Sequence, residues 1–275
     1  MSKMIAYADG SFIKNFTFAN RAFEYGDGIF ESLIAYGKQI QFWESHYRRL
    51  TAACRALHLE IPENFNETFL REIIFDLAQQ NGFTEFYRIK INVWRQTGGL
   101  YTPTNSQIHY AIRLYEYQPK TQKVKPKAIF FRDVPLVYSV ISPYKTLNAL
   151  PYVLAGISAR KNQAQEAILF SSQGYVAETI ASNIFWIKQE TIFTPSLQCG
   201  GKKGIMQEKI FEQAEKLAIS LKIGEFSPQD LLSADVVFTS NIAGIESIRQ
   251  IENQNFKTEH PYLEIFRKLL IIHQL

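Results

Sequence analysis

A lone lysine among apolar and aromatic neighbours is the residue in this chain best suited to covalent chemistry. Lys145 stands in Pro143-Tyr144-Lys145-Thr146-Leu147-Asn148, a proline-bounded loop leading into a helix. Desolvation disfavours an ammonium ion, and only a neutral amine can attack a carbonyl to form a Schiff base. The same surroundings suit an ordinary surface lysine, so local sequence leaves both readings open. Glu178 ends the apolar run Gly174-Tyr175-Val176-Ala177-Glu178-Thr179. A carboxylate there is either exposed at a strand end or paired with a cation. Gly204-Ile205-Met206 opens a helix, whose free backbone amides and positive dipole end make a ready phosphate site, as does the start of any helix. Gly200-Gly201-Lys202-Lys203-Gly204 lacks the Gly-Lys-Ser/Thr ending of a Walker loop. Arg49 is the fourth candidate, and its partner is His46, Glu44 or solvent.

The elements that must position these residues follow from periodicity. Ile5–Ala8, Asp9-Gly10 and Ser11–Ile13 spell a hairpin, and a second runs from Phe30–Tyr36 over Gly37-Lys38 into Ile40–Phe42. From Trp43 the period becomes helical, with Tyr47, Leu50, Cys54 and Leu57 on one stripe that also places Arg49. Asn66 caps a second helix that buries Leu70, Ile73, Ile74 and Leu77 and stops at Gly82. Tyr87, Ile89, Ile91 and Val93 alternate, as do Ile108, Tyr110, Ile112 and Leu114, predicting two strands. Between them, Gln96-Thr97-Gly98-Gly99 needs glycine conformations. The proline- and lysine-rich stretch at 119–126 reads as an interdomain linker, with a phosphate-binding arm as the alternative. It divides a small N-terminal α+β domain, 1–118, from a larger domain, 127–275, that carries Lys145.

In the second half, Ala128–Arg132 reads as a strand and Pro151 starts a helix continued by Leu154, Ile157 and Ser158. Strands are predicted at Ala167–Phe170, Tyr175–Glu178, Asn183–Ile187 and Val236–Thr239. The helix opened by Gly204 buries Ile210, Ala214, Leu217 and Leu221. Ser227-Pro228-Gln229-Asp230 starts another helix, and Tyr262–Ile272 forms the last. No regular βαβ repeat emerges, so the fold class is α+β.

Composition narrows the partners. A chain of 275 residues, 46% hydrophobic and 20% charged, is globular and long enough for two domains. A net charge of +4 is too mild and too evenly spread for nucleic acid. Cys54 and Cys199 stand far apart without metal-ligand spacing, which excludes a zinc site or disulfide framework and fits a reducing compartment. Lys3, Asp9, Lys14 and Arg21 interrupt any signal peptide, and no run approaches a membrane span. The expectation is a cytoplasmic protein with no membrane partner and no metal.

Taken in order, the motifs resemble class IV pyridoxal-phosphate aminotransferases, the fold-type IV group of branched-chain aminotransferase, D-amino-acid aminotransferase and aminodeoxychorismate lyase. The resemblance is carried by colinear blocks over nearly the whole chain. They are Arg21-Ala22-Phe23-Glu24-Tyr25-Gly26-Asp27-Gly28-Ile29-Phe30-Glu31, His46-Tyr47-Arg48-Arg49-Leu50 and Lys145-Thr146-Leu147-Asn148. Glu178 follows with Ala181-Ser182-Asn183-Ile184-Phe185, then Thr194-Pro195 and Gly204-Ile205-Met206. The resemblance implies the two-domain D-amino-acid aminotransferase-like fold, with pyridoxal 5'-phosphate as cofactor in the cleft between the domains.

By that resemblance Lys145 holds the cofactor as a Schiff base and shuttles the substrate proton, and Glu178 faces the pyridine nitrogen and keeps it protonated. Opposite charges about 4 Å apart, at an effective dielectric near 20, interact by roughly 4 kcal/mol. That is enough to hold a ring nitrogen in its charged form. Arg49 binds the phosphate with the backbone amides of Ile205 and Met206. Asn183, Ser240 and Asn241 complete the implied cofactor contacts, and relatives imply a homodimer. Leu150 stands where branched-chain aminotransferases often carry a tyrosine. Gln207 replaces a more usual arginine, and Leu100-Tyr101 follows Gly98-Gly99 where the lyase often has one. Two reactions compete: transfer of an amino group from an amino acid to a 2-oxo acid, which the broader class favours, and release of pyruvate from aminodeoxychorismate to give 4-aminobenzoate. A cofactor-free scaffold would have no need of Lys145, Glu178 and Arg49 together.

Overall fold

The computed structural model describes residues 6–8, 11–13 and 20–270. The chain divides into two compact units, Met1–Pro119 with Tyr144–Asn148, and Lys120–Pro143 with Ala149–Leu275. The loop bearing Lys145 therefore belongs with the first unit, not with the larger one in which the linker reading placed it.

The first unit runs β1 (Ala6–Ala8), β2 (Ser11–Ile13), α1 (Arg21–Tyr25), β3 (Gly28–Tyr36), β4 (Gln39–Ile40), α2 (Trp43–Ala56), α3 (Glu67–Asn81), β5 (Phe86–Arg95) and β6 (Ile108–Glu116). Its sheet has the order β2-β1-β6-β5-β3-β4 and pairs antiparallel throughout. β1 pairs with β2 through Ala8 and Ser11 as a two-residue hairpin requires, and the turn Asp9-Gly10 lies outside the described residues. The predicted alternation in β5 and β6 holds, and Tyr87, Ile89, Ile91, Val93, Ile112 and Leu114 pack against Leu50, Cys54, Leu70, Ile74 and Leu77 of the helices. α3 has the expected ends: the Asn66 side chain accepts from Phe69 N, and Gly82 turns left-handed at φ 73. On β3 the inward row is Ile29, Glu31, Leu33, Ala35. One carboxylate interrupts an apolar face.

The second unit runs β7 (Val124–Lys125), β8 (Ala128–Leu136), α4 (Leu150–Lys161), β9 (Glu166–Ser171), β10 (Val176–Thr179), β11 (Asn183–Lys188), β12 (Thr191–Pro195), α5 (Ile205–Lys216), β13 (Leu221–Gly224), α6 (Pro228–Leu232), β14 (Val236–Asn241), β15 (Gly244–Ile248), β16 (Gln250–Ile251), β17 (Gln254–Asn255) and α7 (Pro261–Arg267). Two sheets form, β10-β9-β8-β16-β17 and β13-β12-β11-β14-β15-β7. Ile168, Phe170, Ile184, Trp186 and Val237 share one core cluster. Four elements depart from the sequence reading. Val124–Lys125 is a strand parallel to β15 rather than linker, because the buried Lys125 ammonium is held by Glu166 at 2.6 Å and by Thr239 Oγ1 at 2.9 Å. β8 continues past Arg132 to Leu136, whose register pairs it with Ser171. α5 ends at Lys216, since Ala218 turns left-handed at φ 52, so Leu217 is exposed and Leu221 starts β13. α4 stands where Pro151 predicts it, and it packs through the small residues Ala155 and Ala159 with Leu154 and Ile157 exposed. α7 stops at Arg267, and Ile271 and Ile272 lie outside the described residues.

Candidate active site

In the first unit the inward carboxylate of Glu31 explains both α2 candidates. Its Oε1 accepts from Arg49 Nε at 2.7 Å, and its Oε2 from Arg49 Nη2 at 2.7 Å and His46 Nδ1 at 2.8 Å. All three side chains are buried. Burial pushes the Glu31 carboxyl upward, but the charge and paired hydrogen bonds of Arg49, joined by His46, outweigh it and bring it from 4.5 down to about 2. His46 is lowered from its usual value, chiefly by burial and further by Arg49 and Lys145, against the pull of Glu31. The ring is thus neutral near pH 7.

Lys145 is placed by backbone, not by its side chain. Phe30 N donates to Lys145 O at 2.8 Å, Leu147 N donates to Gly28 O at 2.9 Å, and Thr146 bridges to Ile29. The half-buried ammonium lies 5.4 Å from the centre of the Phe30 ring. Asn148 packs on Gly26, where a Cβ would come within 2.5 Å of its Oδ1, and Gly26 is left-handed at φ 64. Hence Gly26-Asp27-Gly28 and Lys145-Thr146-Leu147-Asn148 occur together: one is the other's seat. Asp27 joins Arg21 and Arg95, and Arg21 Nη1 donates to the carbonyls of Gly98, Gly99 and Leu100 at 3.2, 3.1 and 2.8 Å. The paired-glycine loop, which lacks its own arginine, is thereby tied by one from α1.

In the second unit Glu178 is buried at the end of β10. Tyr152 Oη donates to its Oε1 at 2.5 Å, and Lys202 N donates to its Oε2 at 3.1 Å. Lys202 Nζ, which can only donate, lies 2.7 Å from Tyr152 Oη, so the phenol accepts from the lysine and its own hydrogen must point at Glu178. Burial, then the Glu178 charge, push the Tyr152 phenol far above its usual range, so the proton stays on it. Both oxygens of Glu178 therefore accept.

The remaining candidates lie around the start of α5. Register places Asn183 of β11 directly opposite Ser240 of β14. Asn183 Nδ2 donates to Lys202 O at 2.8 Å, and a Cβ on Gly204 would lie 1.8 Å from Asn183 Oδ1, so only glycine fits there. Gly204 offers no side-chain cap to α5, whose first-turn amides include those of Ile205 and Met206. Gln207 reaches back to Gly204 N at 3.3 Å, which makes it a cap for its own helix. Ser240 Oγ is buried with no hydrogen-bond partner among the described residues. Both amide hydrogens of Asn241 are used, on Ala181 O and Ser182 Oγ, and its Oδ1 accepts from Ala243 N. It builds the turn beside Ser240. Among the described residues no cluster could hold a metal, and no helix is long and apolar enough to cross a membrane.

Residues 28–251 match the family model for amino-transferase class IV. The chain belongs to the class IV aminotransferases. Among the relatives of this class IV chain, the aminodeoxychorismate lyase of Vibrio harveyi is 26% identical over 261 residues, covering 91% of this chain and 92% of the lyase. The D-alanine aminotransferase of Listeria monocytogenes serotype 1/2a (strain 10403S) is 30% identical over 233 residues, covering 81% and 77%. The fold matches branched-chain aminotransferase from Thermoproteus uzoniensis with a TM-score of 0.87 at 21% identity, covering 98% and 96% of the two chains. This class IV enzyme is therefore of fold type IV and depends on pyridoxal 5'-phosphate. Its own residues fit that group: Ser240 Oγ is buried with no hydrogen-bond partner among the described residues, the α5 amides lack a side-chain cap, and Glu178 is a buried carboxyl whose two oxygens each accept a hydrogen bond. When bound, the cofactor supplies an electron sink for the bond broken at the substrate carbon bearing the amino group.

Sequence reasoning missed three contributors. Glu31 was within reach, since a carboxylate in the inward register of Ile29 and Leu33 must be paired. Tyr152 and Lys202 gave no local signal, because the reversal at Gly200-Gly201 is what brings Lys202 back to Glu178.

Proposed function

We propose that this enzyme takes the proton from the amino-bearing carbon of aminodeoxychorismate and releases pyruvate, leaving 4-aminobenzoate. The observation that carries the reading is the end-to-end match to a lyase, covering 91% of this chain and 92% of the relative. Lys145 is the base: its amine, held by backbone bonds on both sides, receives the proton and returns it. Glu178 keeps the ring nitrogen of the cofactor protonated. Arg49, Ser240 and the amides of Ile205 and Met206 hold the phosphate, with Asn183 fixing the loop before α5 and Asn241 the turn after Ser240.

Amino transfer from an amino acid to a 2-oxo acid is the second reading, favoured by the 30% identity to a D-alanine aminotransferase. Both reactions begin with the same proton and part at the next bond. If the neighbouring carbon carries a leaving group, a C–O bond breaks; without one, the proton returns elsewhere and the amino group stays behind. Equimolar pyruvate and 4-aminobenzoate from the purified enzyme and aminodeoxychorismate would support the lyase. No such products, with an amino acid and a 2-oxo acid exchanged instead, would assign the transaminase.

The functional form is a homodimer in the cytoplasm. Leu150, Val153, Leu154 and Ile157 form one exposed apolar row on α4, at the i, i+3, i+4, i+7 spacing of a helix face that another surface covers. Cys54 and Cys199 are buried free thiols, suited to a reducing compartment. Sedimentation showing a fully active monomer would contradict the dimer.

A further inference from the structure

We propose that His46 is a second side-chain ligand, beside Arg49, for the phosphate of pyridoxal phosphate, and that it takes up a proton as that phosphate binds. The inference rests on the cofactor reading above and adds to it one residue and one proton. Its starting point is the hydrogen bond to Glu31. An ionised carboxylate can only accept, so His46 Nδ1 carries the hydrogen that spans the 2.8 Å to Glu31 Oε2. In the neutral ring the opposite nitrogen, Nε2, then holds a bare lone pair. That atom is buried, on a side chain 1% exposed, and has no hydrogen-bond partner among the described residues. A buried polar atom left so is costly unless something meets it. An anion repels a lone pair, but it accepts readily from a protonated Nε2–H.

The charges around the ring explain why it is neutral first and protonated later. Those facing His46 are Glu31 from β3, Arg49 one turn along α2, and Lys145 from the loop 144–148. One anion against two cations, on top of burial, holds the proton off. A phosphate dianion drawn to Arg49 would reverse that balance by setting a second anion against the two cations. Because Arg49 and His46 are three residues apart on one helix and grip one carboxylate, an anion at the first acts on the second.

The test uses the full chain with pyridoxine 5'-phosphate, whose alcohol replaces the aldehyde and cannot bond to Lys145. Calorimetric titration at about pH 8, in buffers of different ionisation heat, counts the protons taken up, and the phosphate is already a dianion there, its second pKa being about 6. The expected result is uptake of about one proton per ligand in the wild type and none in His46→Gln, with wild-type affinity weakening up to about tenfold per unit as pH rises further. No uptake in the wild type overturns the inference without any variant. Equal uptake in wild type, His46→Gln and His46→Asn overturns it as well. If neither this ligand nor pyridoxal phosphate binds, the cofactor reading itself fails; binding without proton uptake sinks only the role of His46.

Discussion

Two regions prepare their polar groups differently, the carboxylates of Glu31 and Asp27 in the first unit and the start of α5 in the second. In the first, the cations come with their own counter-ion: Arg49 and His46 share the Glu31 carboxylate, and Arg21 and Arg95 share Asp27. In the second, α5 starts without a side-chain cap, and Ser240 Oγ is buried with no hydrogen-bond partner among the described residues. Folding alone satisfies the charges of the first arrangement and leaves the Ser240 hydroxyl of the second unmet among the described residues. The contrast shows that one chain can hold some functional groups by internal pairing and leave others under-satisfied, and mutations should separate the two.

The largest effect is expected at Lys145. Lys145→Ala should abolish turnover while leaving thermal unfolding nearly unchanged, because backbone bonds hold the loop; measurable turnover at any substrate level would break the account. Next comes the internal pair. Glu31→Gln strips Arg49 of its counter-ion and should lower stability by about 3–5 kcal/mol in denaturant titration. The same pair sets an acid limit. Because the folded carboxyl lies near 2 against 4.5 when unfolded, its stabilisation is complete above about 4.5 and is lost as pH falls toward about 2. Unfolding midpoints that Glu31→Gln renders flat across that range would confirm the assignment, and an unchanged slope would refute it.

Glu178→Gln should reverse that pattern. Cofactor still binds and the fold survives, but the rate falls about a hundredfold or more, since an amide cannot keep a pyridine nitrogen charged. Near-normal turnover would remove Glu178 from the chemistry. The smallest effect is the sharpest discriminator: Ser240→Ala should leave the cofactor-free chain as stable or slightly more so, yet weaken cofactor binding about three- to tenfold. A loss of stability without ligand would mean Ser240 already has a partner.

Much of this was legible in the sequence, and for identifiable reasons. β5 and β6 were readable from strict alternation, and α3 from Asn66 and Gly82, because local geometry dictates those residues. The place of α4 was readable from Pro151 and the residues after it, but its packing face was not, being built of Ala155 and Ala159 while its larger residues face outward. β12, β13 and the strands after β14 escaped notice, being pieces of two to five residues, too short to show an alternation. Lys145, Glu178 and Arg49 were found through the order of their motifs, while the partners that fix them, Glu31 and the Tyr152–Lys202 pair, are products of tertiary pairing.

The most direct measurement is borohydride reduction of the enzyme loaded with pyridoxal phosphate, followed by digestion and mass mapping of the modified peptide. The account predicts one reduced pyridoxyl group per chain, on Lys145. Modification of Lys202 instead, or of no lysine at all, would contradict it.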